Sequence, residues 1–168
     1  MEAKDLLIRE INDKDGAMVA EFFANLSAQS TWMFNKSGFN TRRALDYVDG
    51  NTANRKYWIA VEPNENGKDE RIAGCVFLWS LNKCIPWFGI VNADAWRGKH
   101  LGSRLMEHAI NYCKGNGYGG ILLSTRFENE PAQKLYEKWG FKKMGKFRER
   151  NTEYLYLLCF DKTKGCAQ

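Results

Sequence analysis

The sequence holds no Cys-x-x-Cys pair, only two histidines (His100 and His108), and no apolar run long enough to span a bilayer, which takes about 18 residues. Its five cysteines, Cys75, Cys84, Cys113, Cys159 and Cys166, are odd in number and widely spaced. A zinc centre or a disulfide framework is therefore not expected, and no metal site is predicted. The cysteines read instead as small core hydrophobes in a reducing, cytoplasmic protein. Neither Gly98 nor Gly102 meets the Gly-x-x-x-x-Gly-Lys-Ser/Thr spacing of a P-loop, so nucleotide triphosphate hydrolysis has no support. The start, MEAKDLLIRE, carries charge where a signal peptide needs an apolar stretch, and Cys166 stands third from the end where a prenylation box needs it fourth. No membrane association is expected. Repeats, low-complexity tracts and linkers are lacking too, which predicts one domain over residues 1–168.

What is there suits a packed enzyme-sized core. The 168 residues are 44% apolar and 14% aromatic, enough to bury roughly 70% of the surface of the unfolded chain. The net charge of +5 is mild, and compatible with an anionic cofactor or with nucleic acid.

The hydrophobic pattern predicts a strand over Leu6–Ile11 and a helix capped by Asp13, with Val19, Phe22, Phe23 and Leu26 on one face. Residues 30–40 read as an irregular connection, followed by a short helix from Thr41 to Val48. Strands over Tyr57–Val61 and Ile72–Leu81 flank a polar hairpin turn. A strand over Ile85–Asn92 leads into WRGKHLGSRL and then a helix to about Lys114, whose Leu101, Leu105, Ala109 and Tyr112 recur at helical spacing. Ile121–Thr125 reads as a buried strand. Asn129 and Pro131 open a helix closed by Gly140, and strands over Phe141–Phe147 and Tyr154–Phe160 finish the chain. The strand–helix–strand unit over residues 85–125 implies a parallel crossover, and the hairpins imply antiparallel neighbours. The fold class is therefore α/β, with a mixed sheet flanked by helices.

Two glycine-rich stretches compete as phosphate sites. GNGYGG, residues 115–120, matches Gly-x-Gly-x-x-Gly, but a helix precedes it and a strand follows, the reverse of a dinucleotide site. It reads as a helix C-cap and loop. WRGKHLGSRL has the required order of strand, turn and helix. There, unpaired N–H groups and the helix dipole favour an anion, although a cationic turn capping a surface helix fits the same letters.

Two motifs then carry a resemblance. Arg97-Gly98-Lys99-His100-Leu101-Gly102 is similar to the Gln/Arg-x-x-Gly-x-Gly/Ala turn of the GNAT superfamily of N-acetyltransferases, with His100 in place of the central glycine. NEPAQKLYEKWGF, Asn129 to Phe141, matches a second signature of that family without a gap. The likeness is strong over residues 85–147 and architectural over 1–80. It implies the GNAT acyl-CoA N-acyltransferase fold, a central, mostly antiparallel mixed sheet of about seven strands with about four helices. It also implies acetyl-CoA as cofactor, with the pyrophosphate held by main-chain amides over Gly98, Lys99, His100, Leu101, Gly102 and Ser103 after Arg97. The His100 side chain is expected to point away, on helical backbone, and Lys99 and Arg104 to offer further charge.

In the family the pantetheine arm pairs with the strand before the turn, here Ile90, Val91 and Asn92, and the residue matching Asn129 contacts the same arm besides capping its helix. Asn92 replaces a branched apolar residue and reads equally as a polar strand end. Tyr136 matches the acid that protonates the departing thiolate. Its i, i+3, i+4, i+7 stripe with Ala132, Leu135 and Trp139 also suits a core residue. Ser124 stands where some relatives carry a glutamate, so the general base is left open among Glu128, Asp94 and a water chain. Trp32, Phe34 and Trp87 are candidates for clamping the acceptor, and Glu149 and Glu153 for attracting its ammonium.

The leading expectation is transfer of an acetyl group to a primary amine of a small molecule or protein, by direct attack in a ternary complex. The alternative is a non-catalytic acyl-CoA sensor on the same fold. Lys142, Lys143, Lys146, Arg148 and Arg150 raise nucleic-acid binding, but no stacking motif accompanies them, and none is expected. A homodimer is compatible with the family likeness.

Overall fold

The computed structural model describes residues 1–149 and 151–160. They divide into two compact units, Met1–Phe77 with Ile90–Glu107, and Leu78–Gly89 with the described residues from His108 onward.

In the first unit, β1 (Leu7–Glu10) runs antiparallel to β2 (Arg55–Pro63), with Leu7 opposite Val61 and Glu10 opposite Trp58. Between them lie α1 (Gly16–Ala24), α2 (Ala28–Phe34) and α3 (Phe39–Val48). β2 turns into β3 (Asp69–Trp79) through Asn64, whose carbonyl accepts from Gly67 N–H at 2.9 Å. The core here is aromatic: Tyr57 stacks on Phe77 at 4.9 Å and meets Tyr47 at 5.0 Å, while Phe34 packs on Phe77 at 5.9 Å.

Three sequence expectations change in this unit. The N-cap position of the first helix is Asp15, not Asp13, and its carboxylate makes no cap bond but grips Arg9 (2.7 Å) and accepts from Asn12 N–H (2.8 Å). Residues 30–40 are largely helical. Ser27 caps α2 by accepting from Ser30 N–H, and the single buried residue of that helix is Ser30, which gives no apolar period to read. The next helix starts two residues before Thr41, because Asn35 Oδ1 accepts from both Asn40 and Thr41 N–H and ties off the preceding turn.

β4 (Trp87–Asn92) and α4 (Leu101–Gly115) each contribute to both units. In the second unit, β4 runs parallel to β5 (Gly120–Arg126), with Trp87 opposite Leu122. α5 (Glu130–Lys138) follows, then β6 (Lys142–Lys146) and β7 (Glu153–Cys159), both antiparallel neighbours of the strand beside them. Strand order is β1-β2-β3-β4-β5-β7-β6, a mixed and mostly antiparallel seven-stranded sheet. The described residues thus form five α-helices where the pattern predicts four; the fifth is α2. On α4 the buried stripe is Leu101, Leu105, Met106, Ala109, Ile110 and Cys113, so Cys113 takes the place expected for Tyr112.

GNGYGG is a helix end, as the order of elements implies. Gly117 is left-handed (φ +78°), Tyr118 N–H returns to the Cys113 carbonyl at 3.1 Å, and Gly120 opens β5. Cys75 and Cys113 are buried thiols whose pKa burial pushes up to about 12. One cysteine departs from the expected free thiol: Cys84 is disulfide-bonded. Cys166 and Arg150 lie outside the described residues. No described helix is long and apolar enough to cross a membrane, and no described cluster of His, Cys, Asp and Glu is arranged to hold a metal.

A Cβ on Gly120 would stand 2.3 Å from the Leu158 carbonyl oxygen, so only glycine lets β5 and β7 close at that point. Gly120→Ala is expected to cost about 3 kcal/mol, the upper range for overpacking against rigid neighbours, read by urea denaturation.

Candidate active site

The turn that opens α4 belongs to the first unit. Buried Trp96 anchors it, and a short 3₁₀ turn over Asp94–Trp96 leads the chain out of β4. Gly98 (φ +71°) and His100 (φ +63°) are both left-handed. His100 therefore departs from the helical backbone expected of it. It takes the conformation a glycine adopts freely, and histidine is one of the few other residues found there with any frequency. The side chain is exposed. The two reversals swing the chain so that the amides of Leu101, Gly102 and Ser103 open the helix ahead of its early bond from Arg104 N–H to His100 O (3.3 Å). The leading amides of a helix, with its dipole behind them, favour an anion.

The cations of the turn have separate duties. Lys99 is exposed, its ammonium 5.1 Å from the centre of the Trp96 ring. Arg104 donates to the carbonyls of Ala3 and Leu6 and holds the N-terminal segment. Arg97 donates to Ser30 Oγ and pairs with Asp94 at 3.0 Å. Asp94 also accepts from Ser27 N–H (2.8 Å), Ser27 Oγ (2.9 Å) and Ser30 Oγ (3.1 Å). Burial pushes the Asp94 carboxyl up, but the two serines and Arg97 outweigh it and hold the group below the usual carboxylate range. This knot fastens the N-terminus of α2 to the turn. It is not legible in the sequence, because its two halves, Ser27 with Ser30 and Asp94 with Arg97, lie more than sixty positions apart.

Ile90, Val91 and Asn92 end β4 in the same unit. Asn92 Oδ1 is buried with no hydrogen-bond partner, and it lies over Gly74, where a Cβ would meet it at 2.7 Å. Ala93 N–H pairs with the Ala73 carbonyl at 2.8 Å and sets the strand end in place.

The second unit carries the other predicted residues. Asn129 caps α5 by accepting from Ala132 N–H at 3.4 Å, with Pro131 in the opening turn. Tyr136 is buried, its ring between Phe88 (6.5 Å, edge-on), Phe141 (5.8 Å) and Tyr156 (5.9 Å). Burial, and then the neighbouring Tyr156, push its phenol well above the ordinary value, so it stays protonated at neutral pH. Tyr156 in turn donates to Gln133 and Glu137, and burial followed by Glu137 raises it to about 12. Ser124 donates to Glu153 at 2.8 Å, a contact between β5 and β7 that sequence spacing does not announce. Lys143 and Lys146 of the basic stretch sit over rings, at 4.1 Å from Tyr154 and 5.7 Å from Phe127.

With this geometry in view, comparison with known proteins decides the family. The model of the acetyltransferase (GNAT) family matches residues 21–141. The chain belongs to the GNAT family. A Bacillus subtilis (strain 168) protein provisionally named a ribosomal protein bS18-alanine N-acetyltransferase is 32% identical over 78 residues, 46% of this chain and 52% of that protein. Streptothricin acetyltransferase of Streptomyces lavendulae is 31% identical over 98 residues, 57% of this chain and 49% of that enzyme. The chain thus spans about half the length of these curated relatives. Among solved structures, a domain from Methanocaldococcus jannaschii superposes with a TM-score of 0.74 at 26% identity, covering 93% of this chain and 99% of that one. The GNAT fold implies an acyl-CoA ligand, and the free amides that open α4 fit the diphosphate of such a molecule.

Because the Asp94 carboxyl is depressed in the fold, its contribution is present above the unfolded carboxyl value of about 4 and fades as pH falls through the lower folded value. Asp94→Asn is expected to lose about 1–2 kcal/mol at pH 7, the worth of hydrogen bonds to a charged group. The gap to the parent protein should close as the pH falls below the usual carboxylate range, measured by urea denaturation at each pH.

Proposed function

We propose that the protein is an acetyl-CoA-dependent N-acetyltransferase that moves an acetyl group to a primary amine of a small molecule or protein. The observation that carries this reading is the turn itself: two left-handed residues, Gly98 and His100, directly before the amides that open α4 in a GNAT chain. The names of the relatives point to acceptors of both kinds, streptothricin and an alanine of ribosomal protein bS18.

Acetyl-CoA, when bound, supplies the acetyl group as a thioester. The main chain over Gly98–Ser103 holds its diphosphate, with Arg97 shaping the turn through Asp94 and Ser30 and Lys99 adding charge. Ile90, Val91 and Asn92 would offer backbone to the pantetheine arm, with a backbone N–H available to stabilise the thioester oxygen. Asn129 contacts the same arm. Tyr136, which matches the family's acid, would donate its proton to sulfur; its phenol is protonated at neutral pH.

Acetyl-CoA and free CoA are expected to raise the melting temperature, and acetyl-CoA with a panel of amines to release free thiol. Binding without thiol release from any amine would make the protein a sensor rather than an enzyme. Tyr136→Phe should lower kcat about a hundredfold while the calorimetric Kd for acetyl-CoA stays within about twofold; an unaltered kcat would remove the phenol from the reaction.

A further inference from the structure

A primary amine reaches a neutral solution as an ammonium ion, which has no lone pair to attack with. Resting on the acetyltransferase reading above, we propose that Glu153, seated by Ser124, takes that proton, and that the acceptor is a strongly basic aliphatic amine whose apolar body lies along Trp87 and Phe147.

The register of the second unit places these groups together. Side chains alternate across a strand, and paired residues share a face. Trp87 opposes Leu122, Ser124 opposes Leu155 and Arg126 opposes Glu153. Trp87, Leu122, Ser124, Leu155 and Glu153 therefore share one face of the sheet. Phe147 reaches the same face, its ring 5.5 Å from that of Trp87, and its N–H pairs with the Glu153 carbonyl at 2.8 Å. Every one of these side chains is half-buried. A lone aromatic pair is a packing contact, and a lone surface carboxylate is usually a solvated one. Here a carboxylate is held by a serine hydroxyl at 2.8 Å beside the aromatic pair, on a face partly open to solvent. That combination suits an amine with one cationic end and one apolar flank.

The opposite face carries Leu123, Tyr156 and, packed against Tyr156, Tyr136. The group that removes a proton from the acceptor and the group that gives one to sulfur thus lie on opposite faces of this sheet. A carboxylate and a phenol so separated do not simply exchange a proton with each other.

The accounting is complete with these groups. Glu153 takes one proton from the ammonium and later returns it to water. The freed lone pair forms the N–C bond, and the C–S bond breaks with its electron pair going to sulfur. The amine's second proton balances the one the thiolate receives. The products are an amide, a thiol and one released proton.

The test compares Glu153→Gln with the parent protein on two acceptors: a strongly basic alkylamine and a weakly basic amine that is already neutral at the assay pH. Glu153→Gln should lower kcat/KM for the alkylamine about a hundredfold, with little change for the neutral amine and none in the Kd for acetyl-CoA. Because Ser124 Oγ stands 2.8 Å from the carboxylate, a glutamate at position 124 reaches the same space. The double variant Ser124→Glu with Glu153→Gln should therefore recover much of the loss. Equal losses on both amines, an unchanged kcat/KM for the alkylamine, or no recovery in the double variant would each overturn the assignment. If the parent protein binds acetyl-CoA but turns over no amine, the acetyltransferase reading itself fails, a result distinct from turnover that ignores Glu153.

Discussion

Everything in the first unit that bears on chemistry depends on how the chain turns between β4 and α4. A helix presents its leading amides to a ligand when the segment before it steps aside. Gly98 and His100 supply two such steps within three residues. Glycine does this without a steric penalty, whereas histidine there gives up about 1–2 kcal/mol. A cost of that size is tolerated where the backbone direction matters more than local stability.

The turn is also braced from outside. Asp94 gathers two serines of α2 and Arg97 of the turn around one carboxylate, so the segment that leads into α2 and the segment that leads into α4 cannot drift independently. Arg104, one turn into the helix, fixes the N-terminal strand entrance through two carbonyls. Cations in this region are thus divided between structure and exposure: Arg97 and Arg104 are tied to the protein, and Lys99 stands in solvent. A basic cluster in a sequence does not by itself report which of its members are available to a ligand.

The second unit follows a different logic, in which sheet register does the positioning. Tyr136 is placed by an amphipathic helix against Tyr156, and Glu153 is placed by antiparallel pairing diagonally across from Ser124. Alternation of side chains along β5 and β7 sorts the phenol and the carboxylate onto different faces. One strand pair therefore gives two chemically distinct surfaces, one packed around two phenols, the other half-open with a carboxylate beside an aromatic pair.

The sequence by itself determined the parts whose causes are local. Hydrophobic period, a capping asparagine and two ungapped motifs were enough for the strands, for α4 and α5, for the family and for the turn at residues 97–103. A helix with one small buried residue, such as α2, has no period to betray it, so its existence waited on the Ser27 cap and on tertiary contact. Backbone handedness at His100 was decided by the path from β4 to α4, not by the residue's own preference. The Asp94 knot and the meeting of Ser124 with Glu153 were settled only by the tertiary structure. Hydrogen bonds between residues 29 to 67 positions apart arise from strand pairing and loop closure, and no short window of sequence contains both partners.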